Sequence, residues 1–163
     1  MQISEPINMA TQIDVQPTPF PAKSKTATNL VSNAQTTATL LSFADKLLLT
    51  ITQPSSNTGV THWLHVPMAS PSTDPFNPGL FPSHDTENEL LPMPHLTATT
   101  VLGGTKRDEE VVGQTLATTI ASAILMKRPA EERMLVLGIG IKGLGSFGRE
   151  QFNEIVGLML EVL

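Results

Sequence analysis

The sequence predicts an α+β protein, with a mostly antiparallel β-sheet of five to six strands and two main α-helices. Three observations lead to this fold class. Lys46–Thr52 alternates apolar and polar residues, as a half-buried strand does. Met134–Ile141 has no charge and only apolar residues or glycine, which is typical of a central strand covered on both faces. Two later stretches, 112–124 and 152–163, carry apolar residues at helical spacing.

Length and composition limit the possible classes. The chain has 163 residues, no Cys, and a net charge of −5 from 10 basic and 15 acidic residues. That length suits one domain with a real core. The absence of Cys excludes disulfides and thiolate chemistry and fits an intracellular protein. The charge balance argues against a nucleic-acid partner, and the longest apolar run is well short of the roughly 18–20 residues of a membrane span. We see no secretory signal.

The chain divides into an arm and one domain. Residues 1–20 are polar and contain three prolines, which predicts a flexible arm with a short edge strand at Thr11–Val15. Residues 21–163 form the domain. Inside it, seven prolines and several acids occur between Pro67 and Pro94, so we expect a disordered insertion over 67–96.

Short strands are predicted before the first helix. Lys23–Val31 has few strong signals, although Ser32-Asn33 resembles a turn. Up to Val66, four short strands follow one another with small connections, so we expect these four to form an antiparallel meander. The predicted strands are Thr36–Phe43, Lys46–Thr52, Val60–Val66, Thr97–Leu102 and the strand that begins at Met134.

Each helix has a predicted start. Thr105 with Asp108 resembles a capping box before the first helix, and Pro129 ends that helix. Ser146 is the candidate cap of the second. The predicted buried stripes are Val112, Leu116, Thr119, Ile120, Ala123 and Ile124 in the first helix, and Phe152, Ile155, Val156, Met159, Leu160 and Leu163 in the second.

The glycines after the last strand allow an enzymatic interpretation. Gly143, Gly145 and Gly148 match G-x-G-x-x-G between a strand and a helix, the context of a dinucleotide site. The second half of the βαβ unit is missing, which favours the alternative that Gly138 and Gly140 admit a close neighbour and the later glycines make a turn.

Other chemical signals are weaker. Ser146 lies in a strand-to-helix turn, as the serine of a nucleophile elbow does. However, Leu144 replaces the first glycine of G-x-S-x-G, and no His follows downstream. His62 and His65 are three apart on a strand and point to opposite faces, and no zinc pattern is present. We therefore predict no catalytic residue, no cofactor and no metal.

Two helices can cover about one face of such a sheet, while the other face should still carry Leu or Ile from several strands. An apolar face of that size is typical of a binding surface, so we expect a second protein to cover it, or the sheet to become sandwich-like on dimerisation. The predicted interface consists of Lys46, Leu48, Thr50 and Thr52, on the exposed side of their strand, together with Trp63.

The order and spacing of several strands and turns match those of a known family. The matching stretches are Pro21–Lys25, Gln35–Thr39, Leu41–Lys46, Ile51–Gln53, Trp63–Pro67, Thr100–Gly104, Leu135–Ile141 and the helix from Arg149. Over about residues 20–67 and 97–163, these segments resemble the proteasome assembly chaperone 3 family in its fungal form, and the insertion lies outside the resemblance. The related chaperone 4 family has a similar plan.

The resemblance implies a non-enzymatic chaperone of 20S proteasome assembly in cytoplasm and nucleus. It implies pairing through the sheet with a chaperone 4-like partner or with a second copy, and binding of α-subunits to promote α-ring formation. Two alternatives remain open at this point: a nucleotide-binding enzyme that uses residues 143–148, and a generic dimeric adaptor domain.

Overall fold

The computed structural model describes residues 22–54, 59–69 and 92–163. The predicted arm at 1–20, its strand at Thr11–Val15 and most of the predicted insertion at 67–96 lie outside the described residues. Within them the elements are β1 (Lys23–Val31), β2 (Ala34–Ser42), β3 (Lys46–Thr52), β4 (His62–Val66), β5 (Thr99–Leu102), α1 (Arg107–Lys127), β6 (Met134–Gly140), a 3-10 turn (Leu144–Ser146) and α2 (Arg149–Glu161).

The first three strands form an antiparallel meander. β1, which the local sequence signals poorly, pairs with β2 along its whole length. Ser32 and Asn33 join them, with φ of 51° and 61°. Positive φ at both central residues matches the right-handed twist of the strands on either side. β2 then pairs with β3 across a reversal that the Phe43 N–H closes by donating to the Lys46 carbonyl at 2.9 Å.

β4 does not continue this meander, so the expected run of four antiparallel strands is wrong. The sheet order is β1-β2-β3-β6-β4-β5, with β6 inserted between β3 and β4. β6 is parallel to β3 and antiparallel to β4. As the most apolar strand, β6 takes a central position with paired neighbours on both sides. Four of the five pairings are antiparallel, and the predicted α+β class with two helices is confirmed.

Both helices lie on one face of the sheet. Lys25, which points to the same side as Leu40, donates from its Nζ to the carbonyl of Leu163 just after α2. Thr100, on the side of Leu64, accepts from Gln114 of α1. The core between the helices and this face includes the fully buried Leu47, Leu49, Ile51, Leu64, Leu116, Ile120, Ile124, Leu135, Leu137, Ile139 and Ile155.

The predicted N-cap residues are wrong for both helices. α1 begins after Lys106, and in the described part of the chain no side chain caps this end. The acidic first turn instead complements the helix dipole. α2 begins after Gly148, whose N–H donates to Gln151 Oε1 at 3.0 Å. The hydroxyl of Ser146 lies in the 3-10 turn and donates to the Gly143 carbonyl at 2.7 Å.

The second helical stripe also differs in one position. Leu160, which the spacing assigned to the core, is exposed, whereas Leu158 is buried. Leu158 lies three residues after Ile155 on the covered side of α2, and Leu160 projects beyond the edge of that stripe.

A buried ion pair joins the loop before β6 to the β2–β3 reversal. Glu131 accepts from the Arg133 guanidinium at 2.6 and 2.7 Å, and the same guanidinium donates to Ser42 Oγ and the Phe43 carbonyl. These hydrogen bonds with Arg133 hold the pKa of Glu131 below its ordinary value of 4.5. The contact fixes the start of β6 beside the end of β2.

Glu131→Gln is expected to lower the free energy of unfolding at pH 7 by about 1–3 kcal/mol, because a charge-assisted pair is lost. A carboxyl with a lowered folded-state pKa stabilises above its unfolded pKa and loses that contribution as pH falls through the folded value. The variant should therefore show less acid destabilisation than the wild type below about pH 4.5. Urea unfolding at pH 7 and pH 3.5 measures both effects. Glu132→Gln, a substitution at the exposed neighbouring residue, should change neither the free energy of unfolding at pH 7 nor the loss of stability in acid.

Candidate partner-binding face

The side of the sheet opposite the helices is called here the open face, and none of the described helices lies on it. The structure brings the five predicted interface residues together on it. Lys46, Leu48, Thr50 and Thr52 alternate with the buried residues of β3. Trp63 pairs with Gly138, which pairs in turn with Thr50, so Trp63 and Thr50 share one row. Their role as an interface stays a prediction.

Trp63 covers part of β6. A Cβ placed on Gly138 would lie 2.8 Å from Cζ3 of Trp63 and 2.9 Å from Cγ1 of Val60. A Cβ on Gly140 would collide with the carbonyl of Gly59. The expected close approach to these two glycines is therefore made by Trp63 of β4 and by the segment just before β4. The C-terminal half of β6 needs no external cover.

The other half of β6 belongs to an apolar strip, made of Leu41, Leu48, Val136 and Met134. The first three are direct lateral neighbours on β2, β3 and β6, and each is half-buried. Met134 pairs with Lys46 one row away and is 38% exposed. Alternation along the strand puts Met134 and Val136 on one side of β6, but only the pairing with β3 shows that this side is the open face and adjoins Leu48.

Each of β1–β3 carries one leucine on the open face, namely Leu30, Leu41 and Leu48, so the expectation of Leu or Ile from several strands is confirmed. Threonines occupy most of the remaining positions on this half of the face. Thr26 and Thr39 are hydrogen-bonded through their hydroxyls at 3.2 Å, and Thr28 and Thr37 at 3.1 Å. Such pairs tolerate water, so the apolar strip and Trp63 are the part that a partner would protect. The six threonines are Thr26, Thr28, Thr37, Thr39, Thr50 and Thr52.

An exposed ion pair marks the end of the apolar strip. Lys46 Nζ lies 3.0 Å from Asp45 Oδ2, and this hydrogen bond holds the pKa of Asp45 below its ordinary value. Both side chains are largely in water, so the pair adds little to stability. It places both signs of charge at the rim of the open face, where a partner would meet them first.

The glycine turn before α2 is filled by α1. A Cβ on Gly145 would lie 2.9 Å from the Cβ of Asp108 and 3.0 Å from the backbone N of Glu109. A phosphate at this turn would therefore meet the acidic first turn of α1. This packing supports the interpretation that the glycines allow two segments to touch, and it disfavours a nucleotide site.

The two histidines of β4 lie on opposite faces, as their spacing predicts. His62 is buried toward α1, and His65 is half-buried on the open face. The described ranges contain no group of three or more His, Cys, Asp or Glu that could hold a metal ion. Within the same ranges, no helix is long and apolar enough to cross a membrane.

These features define an α+β protein with one layer of helices and one open sheet face. No family model and no curated protein matches the chain. Among solved structures, it is similar to a chain in the crystal structure of a novel chaperone complex for yeast 20S proteasome assembly. The identity is 16% and the TM-score 0.51, over 85% of this chain and 97% of the yeast chain. At this identity the likeness shows a shared fold.

Proposed function

We propose that this protein is a non-enzymatic chaperone of 20S proteasome assembly that pairs through the open face. The observation that carries the proposal is the fold match to 97% of a chain from a proteasome assembly chaperone complex. The partner is a chaperone 4-like protein or a second copy, and the pair binds proteasome α-subunits to promote α-ring formation. It acts in cytoplasm and nucleus.

The open face supports pairing independently of the fold match. Leu48 and Val136 are side by side at its centre, and Met134 and Trp63 flank them. A patch of aliphatic and aromatic side chains with polar surroundings is the usual composition of a protein interface. The threonine half and the Asp45–Lys46 pair supply the polar rim.

Affinity capture tests the function. The tagged full chain, expressed in fungal cells, should recover proteasome α-subunits and a small second chaperone, but no mature β-subunits, in quantitative mass spectrometry. A tagged Leu48→Lys variant is the matched comparison, because it changes the open face and leaves the helix face intact. It should recover less of the second chaperone than the wild type does. Equal recovery of α-subunits with an unrelated tagged protein would contradict the proposal. Enrichment of a different assembly by the wild type, with no proteasome subunits, would instead support the adaptor alternative.

A further inference from the structure

His62 is a buried histidine that no feature of the proposed pairing uses. It is the first residue of β4, points toward α1 and is only 5% exposed. Two glycines make room for its ring. A Cβ on Gly113 of α1 would lie 2.6 Å from Cε1 and 2.9 Å from Nδ1, and a Cβ on Gly104 would lie 2.8 Å from Nε2. The imidazole therefore fills the junction between β4, α1 and the turn after β5.

The hydrogen bonds of His62 suit an uncharged ring. Nε2 lies 3.4 Å from Thr100 Oγ1 on β5, and Gln114 Nε2 lies 3.5 Å from the same hydroxyl. Nδ1 is buried and has no partner among the described residues. A protonated imidazole carries a donor on each nitrogen, so protonation would leave a buried N–H without an acceptor.

The carboxylates near His62 belong to the first turn of α1. Glu109 and Glu110 raise the pKa of His62, but burial is the larger effect and lowers it below its ordinary value of 6.5. Glu109 pairs with Lys106 at 3.4 Å, and Glu110 accepts from Gln114 at 3.3 Å.

Among the described residues, the other elements packed around the ring present no titratable group to it. β5 contributes Thr100, the following turn contributes Gly104, and the neighbouring β6 residue is Ile139. Asp108 packs against Gly145 instead. The two glutamates of α1 are therefore the charged groups that face His62.

We propose that His62 is a proton-sensitive latch, whose uncharged imidazole holds β5, the Gly103-Gly104 turn and the start of α1 on β4, and whose protonation releases them. The inference is independent of sheet pairing. Its direction follows from linkage: the opened state takes up the proton more readily than the closed state, so the closed state is fully stable above about pH 6.5 and weakens as pH falls below it. One proton changes the opening equilibrium by at most about tenfold per pH unit.

Native-state hydrogen exchange tests the latch. Protection factors at pH 7.5, 6.5 and 5.5, corrected for intrinsic exchange, should fall by up to about tenfold per pH unit in the hydrogen-bonded amides of 99–102 and 110–114. Amides of β2 and β3 should change less. His65→Gln, three residues away on the open face, should behave as the wild type does. His62→Gln should remove the pH dependence.

A titration of the wild-type imidazoles by NMR keeps the proposal testable if His62→Gln does not fold. Titration of His62 below 6.5, accompanied by loss of protection in β5, supports the latch. A His62 ring that titrates at 6.5 or above overturns it. So does a His62→Gln variant that folds and retains the wild-type pH dependence of protection.

Discussion

Leu49→Ala is expected to lower the free energy of unfolding by about 2–5 kcal/mol, because it leaves a cavity that the rigid surroundings fill only in part. Leu49 is fully buried on β3, between Leu40 of β2 and Leu137 of β6, under the helices. The loss is near the top of what a single substitution costs a domain of this size. Chemical denaturation followed by Trp63 fluorescence measures it.

The adjacent residue is a matched control. Leu48 is chemically identical to Leu49 and lies on the same strand, but it points to the open face and is half-buried. Leu48→Ala should cost only about 1 kcal/mol, since its side chain already contacts water. Equal losses for the two variants would contradict the assignment of the helix-covered and open faces.

In contrast to Leu49→Ala, Leu48→Lys should have a small effect on folding stability and a large effect on association. It places a charge at the centre of the apolar strip, two residues from Lys46 on the same side. If pairing buries this strip, the affinity for the partner or second copy should fall by about 100-fold, as central positions of interfaces usually show. Sedimentation equilibrium or calorimetry with the captured partner measures the change.

Thr28→Lys is the control for charge itself. Thr28 lies on the same face but on the edge strand β1, where it is exposed and bonded to Thr37. A lysine there can reach water, so pairing should weaken little. If Leu48→Lys and Thr28→Lys associate as the wild type does, the open face is not the interface and another surface must carry the proposed function.

The sequence was sufficient to predict the fold class, because the alternation in Lys46–Thr52 and the stripe in α1 are strong local signals. It was insufficient for strand order. Pairing of β3 with β6 joins segments that are far apart in the chain, and no local pattern encodes that neighbour. β1 was weakly signalled because it is a polar edge strand with only one fully buried residue, Val31.

The facing of the predicted interface residues followed from the two-residue period of strands. Their proximity did not, since Trp63 and Thr50 are related only through Gly138 of β6. Leu41 was missed because β2 reads as a threonine-rich strand whose apolar end includes both Leu40 and Leu41. The pairing of Leu41 with Leu48 shows which of the two faces outward. The predicted caps were wrong because neither helix begins at a hydroxyl: α1 follows Lys106, and α2 follows Gly148, whose N–H donates to Gln151.

The parallel contact between β3 and β6 also determines when the protein can finish folding. During synthesis, the β1–β3 meander leaves the ribosome well before Met134–Gly140, so Leu47, Leu49 and Ile51 have to wait for their central neighbour. Contacts between such distant segments form slowly, because a long loop must close before they are made. The nascent meander is therefore the stage most exposed to aggregation, and it gains protection only when the last strand and helix emerge.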